Sequence, residues 1–194
     1  MVLSERQNEI VTAALGLIAA GGIQNLTMKK IAARLGVSEP ALYRHFSGKS
    51  EIVKELIRGF DEGIPDRSGE SVGFESVKTF VRDRLRQASE NPPLARVMFS
   101  EELFMDDPEF SGLCMEMRHR HRVRMCRDFA AAAAAGEIRN DIAPEMLFAL
   151  VFGPVRMLVK QWGMSGGAFE LMNKGEELLD ALTKMLARAE RSAK

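Results

Sequence analysis

The stretch LTMKKIAARLGVSEPALYRHF, residues 26–46, decides how the chain is read. It carries two short amphipathic segments on either side of Gly36. The first runs from Thr27 to about Leu35; the second opens at Ser38 and tolerates Pro40 in its first turn. Ile31, Leu35, Val37 and Leu42 can meet in a small core, and Ala32 lets the two helices cross closely. A helix-turn-helix needs this arrangement, with one face of its second helix left free for the DNA major groove.

Charge gathers at the same place. Between residues 24 and 50, Lys29, Lys30, Arg34, Arg44 and Lys49 stand against the single anion Glu39, although Lys+Arg and Asp+Glu balance at 27 each over the 194 residues. That balance excludes a general basic coat. A hydrophobic content of 46% provides for a substantial core and excludes disorder. Lys29 and Lys30 lie in a first helical turn, where the macrodipole disfavours cations. Either solvent absorbs that cost, or an incoming phosphate turns the turn into an anion site.

Outward from this module the periodicity predicts an all-α fold of about nine helices. The first starts at Ser4, in capping-box spacing with Gln7, buries Ile10, Ala14, Leu17 and Ile18, and stops at Gly21-Gly22. A fourth follows Ser47 and carries Ile52, Val53, Leu56, Ile57 and Phe60. Residues 61–73 read as a linker. Further helices are expected near 74–90, 93–105, 108–135, 144–162 and 168–190, punctuated by Pro92-Pro93, Pro108, Gly136 and Gly166-Gly167.

The residues Ile31-Ala32, Leu35-Gly36-Val37-Ser38 and Ala41-Leu42-Tyr43-Arg44-His45-Phe46, followed by Lys49, resemble the tetracycline-repressor (TetR) family of regulators. The resemblance implies a DNA-binding domain over residues 1–50 and a ligand-binding and dimerisation domain over 51–194. It implies phosphate contacts from Thr27, Lys29, Tyr43, His45 and Lys49, with Glu39, Pro40, Ala41 and Arg44 facing base edges. Chemistry permits those roles: Arg44 can read guanine, and Pro40 or Ala41 can touch a thymine methyl. Glu39 departs from the commoner uncharged residue, and either accepts from a cytosine amine or complements the helix dipole. The implied partners are double-stranded operator DNA, a second copy of the chain, and a small apolar or amphipathic effector that releases the DNA.

In the C-terminal part, Phe110, Cys114, Met117, His121 and Met125 form one helical stripe. It admits three readings: ordinary core, a ligand-pocket wall with His121 as the polar contact, or a soft-metal site on Cys114, Met117 and His121. Phe99, Phe148, Phe152 and Trp162 are candidate facing walls. Arg118, Arg120, Arg122, Arg124 and Arg127 read either as a solvated face meeting Glu101, Glu102, Asp106 and Asp107, or as a grip on an anionic ligand. The last two helices carry strong apolar faces, among them Leu178, Leu179 and Leu182, which suit a subunit interface or packing within one subunit. Pro154 removes a backbone bond to Leu150 and is expected to bend its helix.

No GxSxG, HExxH, GxGxxG, P-loop or CxxC pattern is present, so no enzyme and no cofactor is expected. Cys114 and Cys126 suggest no disulfide framework, the N-terminus does not read as a signal peptide, and no uncharged apolar run nears the ~20 residues of a membrane helix. A cytoplasmic regulator is the expectation. The alternative is a ligand-independent DNA-organising protein of the same fold.

Overall fold

The computed structural model describes residues 3–63, 72–99 and 108–188. Among these, every regular element is helical: α1 Glu5–Gly21, α2 Met28–Leu35, α3 Glu39–Leu42, α4 Lys49–Glu62, α5 Phe74–Glu90, α6 Pro92–Met98, α7 Pro108–Ala135, α8 Pro144–Met164 and α9 Leu171–Leu186. A 3-10 turn at Ile23–Asn25, which periodicity does not reveal, follows α1. The described residues fall into two compact units, one made of Met1–Gly63 with Asn91–Met117 and the other of Ile64–Glu90 with Arg118–Lys194. The unit holding the helix-turn-helix is thus larger than residues 1–50.

In that first unit α1 is the central element, packing on α2, α4 and α6. Ser4 caps it through the expected box: its Oγ accepts from Gln7 N–H, and Gln7 Oε1 accepts from Ser4 N–H. Ile10, Ala14 and Ile18 are fully buried, joined by Ile31, Leu42, Ile52 and Val53. Gly36 takes the left-handed conformation (φ 67°) that ends α2, where a side chain would be strained. α4 starts after Gly48, with the Glu51 carboxylate accepting from Ser47 N–H at 2.5 Å and Ser47 Oγ at 2.9 Å. Those bonds hold the Glu51 carboxyl below its ordinary range.

In the second unit α5 packs on α8 and α9. Leu85 of α5 is fully buried, and a Cβ on Gly175 of α9 would stand 2.3 Å from its Cδ1. α7 joins them through Phe129, whose ring centroid lies 6.3 Å from that of Phe74. α8 is one helix through Pro154, which lies on its exposed side with Gly153.

Several boundaries differ from expectation. α6 ends at Met98, and residues 100–105 of the expected helix lie outside the described residues, as do 64–71 of the expected linker. α9 opens at Leu171, not 168, because Gly166 and Gly167 are both left-handed and Ser165 Oγ accepts from Ala168 N–H, which holds those residues in a turn. Residues 189–190 lie outside the described residues. Leu179 and Leu182, candidates for a subunit interface, are 2% and 5% exposed within the single chain. They belong to its own core.

Two outcomes follow. Gly175→Val should push into Leu85 and cost about 2 kcal/mol, read as a lowered Tm with helix content retained. A carboxyl with a depressed folded-state pKa gives stability that is complete above its ordinary 4.5 and is lost as pH falls through the lower folded value. Glu51→Gln should therefore lose less stability than the parent between pH 5 and the acid limit, measured by urea unfolding; identical acid profiles would contradict the Ser47–Glu51 contact.

Candidate functional site

α3 is a single turn and cannot persist alone, because helix nucleation is unfavourable. It is held from within: Leu42 is 1% exposed and Phe46 2%. The backbone remains turned beyond α3, with His45 and Phe46 N–H both donating to Leu42 carbonyl oxygen. With those two side chains inward, Pro40, Tyr43 and Arg44 are exposed, and Glu39, Ala41 and His45 are half-buried. Thr27, Lys29 and Lys49 are exposed as well. Thr27 Oγ1 accepts from Lys30 N–H at 3.2 Å and caps α2. Lys30 turns back to Asn25 Oδ1, so the two adjacent lysines differ: Lys30 is tied to its own turn, whereas Lys29 projects outward. Glu39 occupies the first position of α3, where its charge suits the helix dipole.

One contributor escaped the sequence reading. Gln7 uses its amide oxygen in the α1 cap and donates from Nε2 to the His45 carbonyl at 3.3 Å, tying the start of α1 to the end of the recognition segment. The capping-box spacing accounts for only half of that amide, and nothing in the sequence signals the partner 38 residues away.

The sulfur-rich stripe on α7 is divided between the two units. Phe110 and Met117 are buried in the first unit's core, with Cys114 packed against it, and Phe99 meets Phe60 edge-on at 5.8 Å. Burial pushes the Cys114 thiol up to about 11. Among the described residues no group of three or more His, Cys, Asp or Glu side chains could hold a metal ion.

His121, Phe148 and Phe152 belong to the second unit, where a residue the sequence reading omitted joins them. Phe80 of α5, 5% exposed, lies 5.2 Å from the His121 ring and 5.7 Å from Phe152, and Phe152 stacks on Phe148 at 4.5 Å. Met125 is fully buried in this unit, while Trp162 is half-buried near Gly167. The guanidiniums of Arg84 and Arg124 lie 5.5 and 6.0 Å from the Phe80 centroid. Arg84 is 5% exposed, with Nη1 donating to Gln87 Oε1 at 2.6 Å. One helical turn before Phe80, the Ser76 hydroxyl donates to the fully buried Asp128 at 2.8 Å. Burial, and then the charge of Arg156, push Arg118 below the ordinary guanidinium range. Phe80 could have been suspected from its place on the buried face of α5, but its facing residues could not.

The α7 arginines also divide. Arg120, Arg122 and Arg127 are exposed, whereas Arg118 and Arg124 are half-buried. The acids Glu101, Glu102, Asp106 and Asp107 expected to meet them lie outside the described residues. His119, Arg120, Val123, Arg124 and Arg127 line an open groove of about 410 Å³ along α7.

Comparison with known proteins was made against this geometry. Over 126 residues the chain is 29% identical to the nucleoid occlusion factor SlmA of Yersinia enterocolitica, an alignment covering 62% of this chain and 64% of that relative. The chain thus spans under two thirds of the length of the curated relatives it matches first. By fold it is similar to the ketosteroid transcriptional regulator KstR2 of Mycobacterium tuberculosis, with a TM-score of 0.80, 19% identity, and 96% and 97% of the two chains covered. It is similar, too, to the transcriptional regulator FadR of Bacillus subtilis in complex with stearoyl-CoA, with a TM-score of 0.71, 20% identity, and coverage of 91% and 97%. Residues 10–56 match the model for bacterial regulatory proteins of the tetR family. That match opens at Ile10, where α1 enters the core, and closes at Leu56 on the buried side of α4, so it takes in the folded module that presents Tyr43 and Arg44. Over that module the chain is similar to the tetR family of bacterial regulatory proteins, and its fold is similar to that of the KstR2 and FadR structures.

Proposed function

We propose that the chain is a cytoplasmic transcriptional repressor, not an enzyme, that binds operator DNA through residues 1–50 and releases it when residues 51–194 take up a small amphipathic molecule. The observation that carries this reading is Tyr43. Its side chain is 53% exposed beside an exposed Arg44, while Leu42 and Phe46 on the same segment are buried. A phenol and a guanidinium thus stand together on the surface of the charged module, where phosphate and base edges could be met. Thr27, Lys29, His45 and Lys49 supply phosphate contacts around it, and Glu39, Pro40, Ala41 and Arg44 face base edges. Among the described residues no helix is long and apolar enough to cross a membrane.

A second copy of the chain is part of this reading. α8 keeps an exposed apolar stripe through Met146, Gly153, Met157 and Met164, and α9 exposes Ala181 and Met185 beside half-buried Leu178. These faces remain after the inner ones are spent on α5. A two-fold dimer would cover them and set two recognition segments one DNA turn apart. For the effector, His121, Phe148 and Phe152 around Phe80 are the favoured wall, with Trp162 and Met125 in the same unit. Phe99, Phe110, Cys114 and Met117 belong to the core of the other unit and are not part of this wall. That FadR was determined with stearoyl-CoA supports the capacity of this fold to hold an amphiphile.

Similarity to a nucleoid occlusion factor favours one other reading, a DNA-organising protein without an effector. Sites selected from random DNA provide the operator for deciding. A regulator should lose affinity for its operator in the presence of some small molecule, whereas an organiser should respond to none.

With that operator, Tyr43→Phe and Lys49→Ala should weaken binding to all sequences, and Lys49→Ala should reduce the salt slope by about one contact. Arg44→Ala should relax selectivity at one position, by about 1–3 kcal/mol. Fluorescence anisotropy across salt concentrations checks both, and unchanged affinity in all three variants would remove the assignment. Met157→Glu combined with Ala181→Glu should give folded monomers with little operator affinity in sedimentation and anisotropy runs. A parent chain that is monomeric at micromolar concentration would contradict the dimer.

A further inference from the structure

Between the recognition segment and α4 the chain turns through His45, Phe46 and Ser47. This turn separates Tyr43 and Arg44 from Lys49, the first residue of α4. Groove and phosphate contacts are made together only when their spacing is held, since phosphate contacts set a protein's register on the duplex. Whatever holds the turn therefore bears on binding, without itself touching DNA.

Phe46, 2% exposed, anchors the middle of the turn from inside. On one side of it the His45 carbonyl accepts from Gln7 Nε2 of α1 at 3.3 Å. On the other, Ser47 N–H donates to the Glu51 carboxylate of α4 at 2.5 Å, and Ser47 Oγ donates to the same oxygen at 2.9 Å. The backbone groups flanking Phe46 are thus tied to two different helices. Both ties depart from ordinary capping. A third-position glutamate in a capping box reaches back to the N-cap N–H. Glu51 is third in α4, yet it reaches past Gly48 to Ser47. Gln7 completes the α1 cap through Oε1, which leaves Nε2 to cross to His45, 38 residues on. The charge of Glu51 sharpens the point. It stands two residues after Lys49, where a carboxylate by itself repels DNA phosphates. Its bonds to Ser47 act in the opposite sense if they keep Lys49 in register.

We propose that Gln7 and Glu51 are positioning residues for DNA binding: from α1 and α4 they fix the backbone on either side of Phe46, and so set Lys49 against Tyr43 and Arg44. This rests on the reading of residues 1–50 as the DNA-binding part. It adds two side chains that act without contacting DNA, one of them, Glu51, beyond that range.

The test uses the full chain and a fluorescent duplex carrying the selected operator, read by anisotropy. Glu51→Ala separates charge from position, because the two predict opposite signs. Removing an anion should by itself tighten binding; losing the tie should weaken it, by about fivefold. Glu51→Gln keeps an acceptor for Ser47 N–H and should recover most of that loss. Gln7→Met removes the donor to His45 with little change in length and should weaken binding by a similar factor. It also loses half of the α1 cap, so Ser4→Ala is its control: that variant breaks the same cap, leaves Nε2 in place and should keep parental affinity. Circular dichroism melting shows that each variant is folded, and since the two residues lie on different helices, either tests the proposal if the other fails to fold. Hydrogen exchange gives a readout without DNA: the Ser47 amide should exchange faster in Glu51→Ala, while amides in the middle of α1 keep their protection. Glu51→Ala binding as tightly as the parent or more tightly, or Ser4→Ala losing as much as Gln7→Met, would overturn the proposal. If the parent, Tyr43→Phe and Arg44→Ala all bind the duplex alike, the DNA-binding reading fails and takes this one with it. Losses confined to Tyr43→Phe and Arg44→Ala keep that reading and remove only the roles of Gln7 and Glu51.

Discussion

Burial of Leu42 and Phe46 is the constraint on which the exposed surface at Tyr43 and Arg44 depends. A single helical turn has no stability of its own, so the position of Tyr43 and Arg44 is set by two inward side chains and by the helices that receive them. α2 packs on α3, and α1, which packs on α2, is capped by Ser4 and Gln7 and buries Ile10, Ala14 and Ile18. The Gln7 amide then returns to the His45 carbonyl and closes the arrangement. Exposed groups that act outside the fold are thus rigid because their immediate neighbours along the chain are packed.

The second unit solves a different problem. α8 and α9 carry apolar side chains on an exposed face as well as on the buried one. α9 spends Leu171, Leu179, Leu182 and Leu186 inward, with Gly175 allowing Leu85 to approach, and still exposes Ala181 and Met185. Between α5 and α7, by contrast, polar groups are buried where leucines would serve stability better: Ser76, Arg84 and Asp128.

Much of the first unit was legible in the sequence because its signals are local. A capping box, a helix-ending glycine and a serine–proline start each act within four residues, and each appears where the spacing places it, whereas Thr27, read as the first residue of α2, is its N-cap. The inward residues of α4 followed from helical period alone. The motif around Gly36 also lies within the stretch that is similar to the tetR family, and its residues coincide with the observed helix ends.

What the sequence determined by itself, then, was helix content, the ends of α1 and α2 to within a residue and the exposed set around Tyr43, because those depend on neighbours one turn away. Tertiary structure alone decided which of two apolar faces each of α8 and α9 turns inward, and so moved Leu179 and Leu182 from interface to core. It also divided the α7 stripe: Phe110 and Met117 went to one core, while His121 met Phe80, a residue 41 positions earlier that the stripe's periodicity could not indicate. A helix's period identifies the side chains that share a face. It carries no information about which element that face meets, because contacts between helices depend on packing across distant parts of the chain.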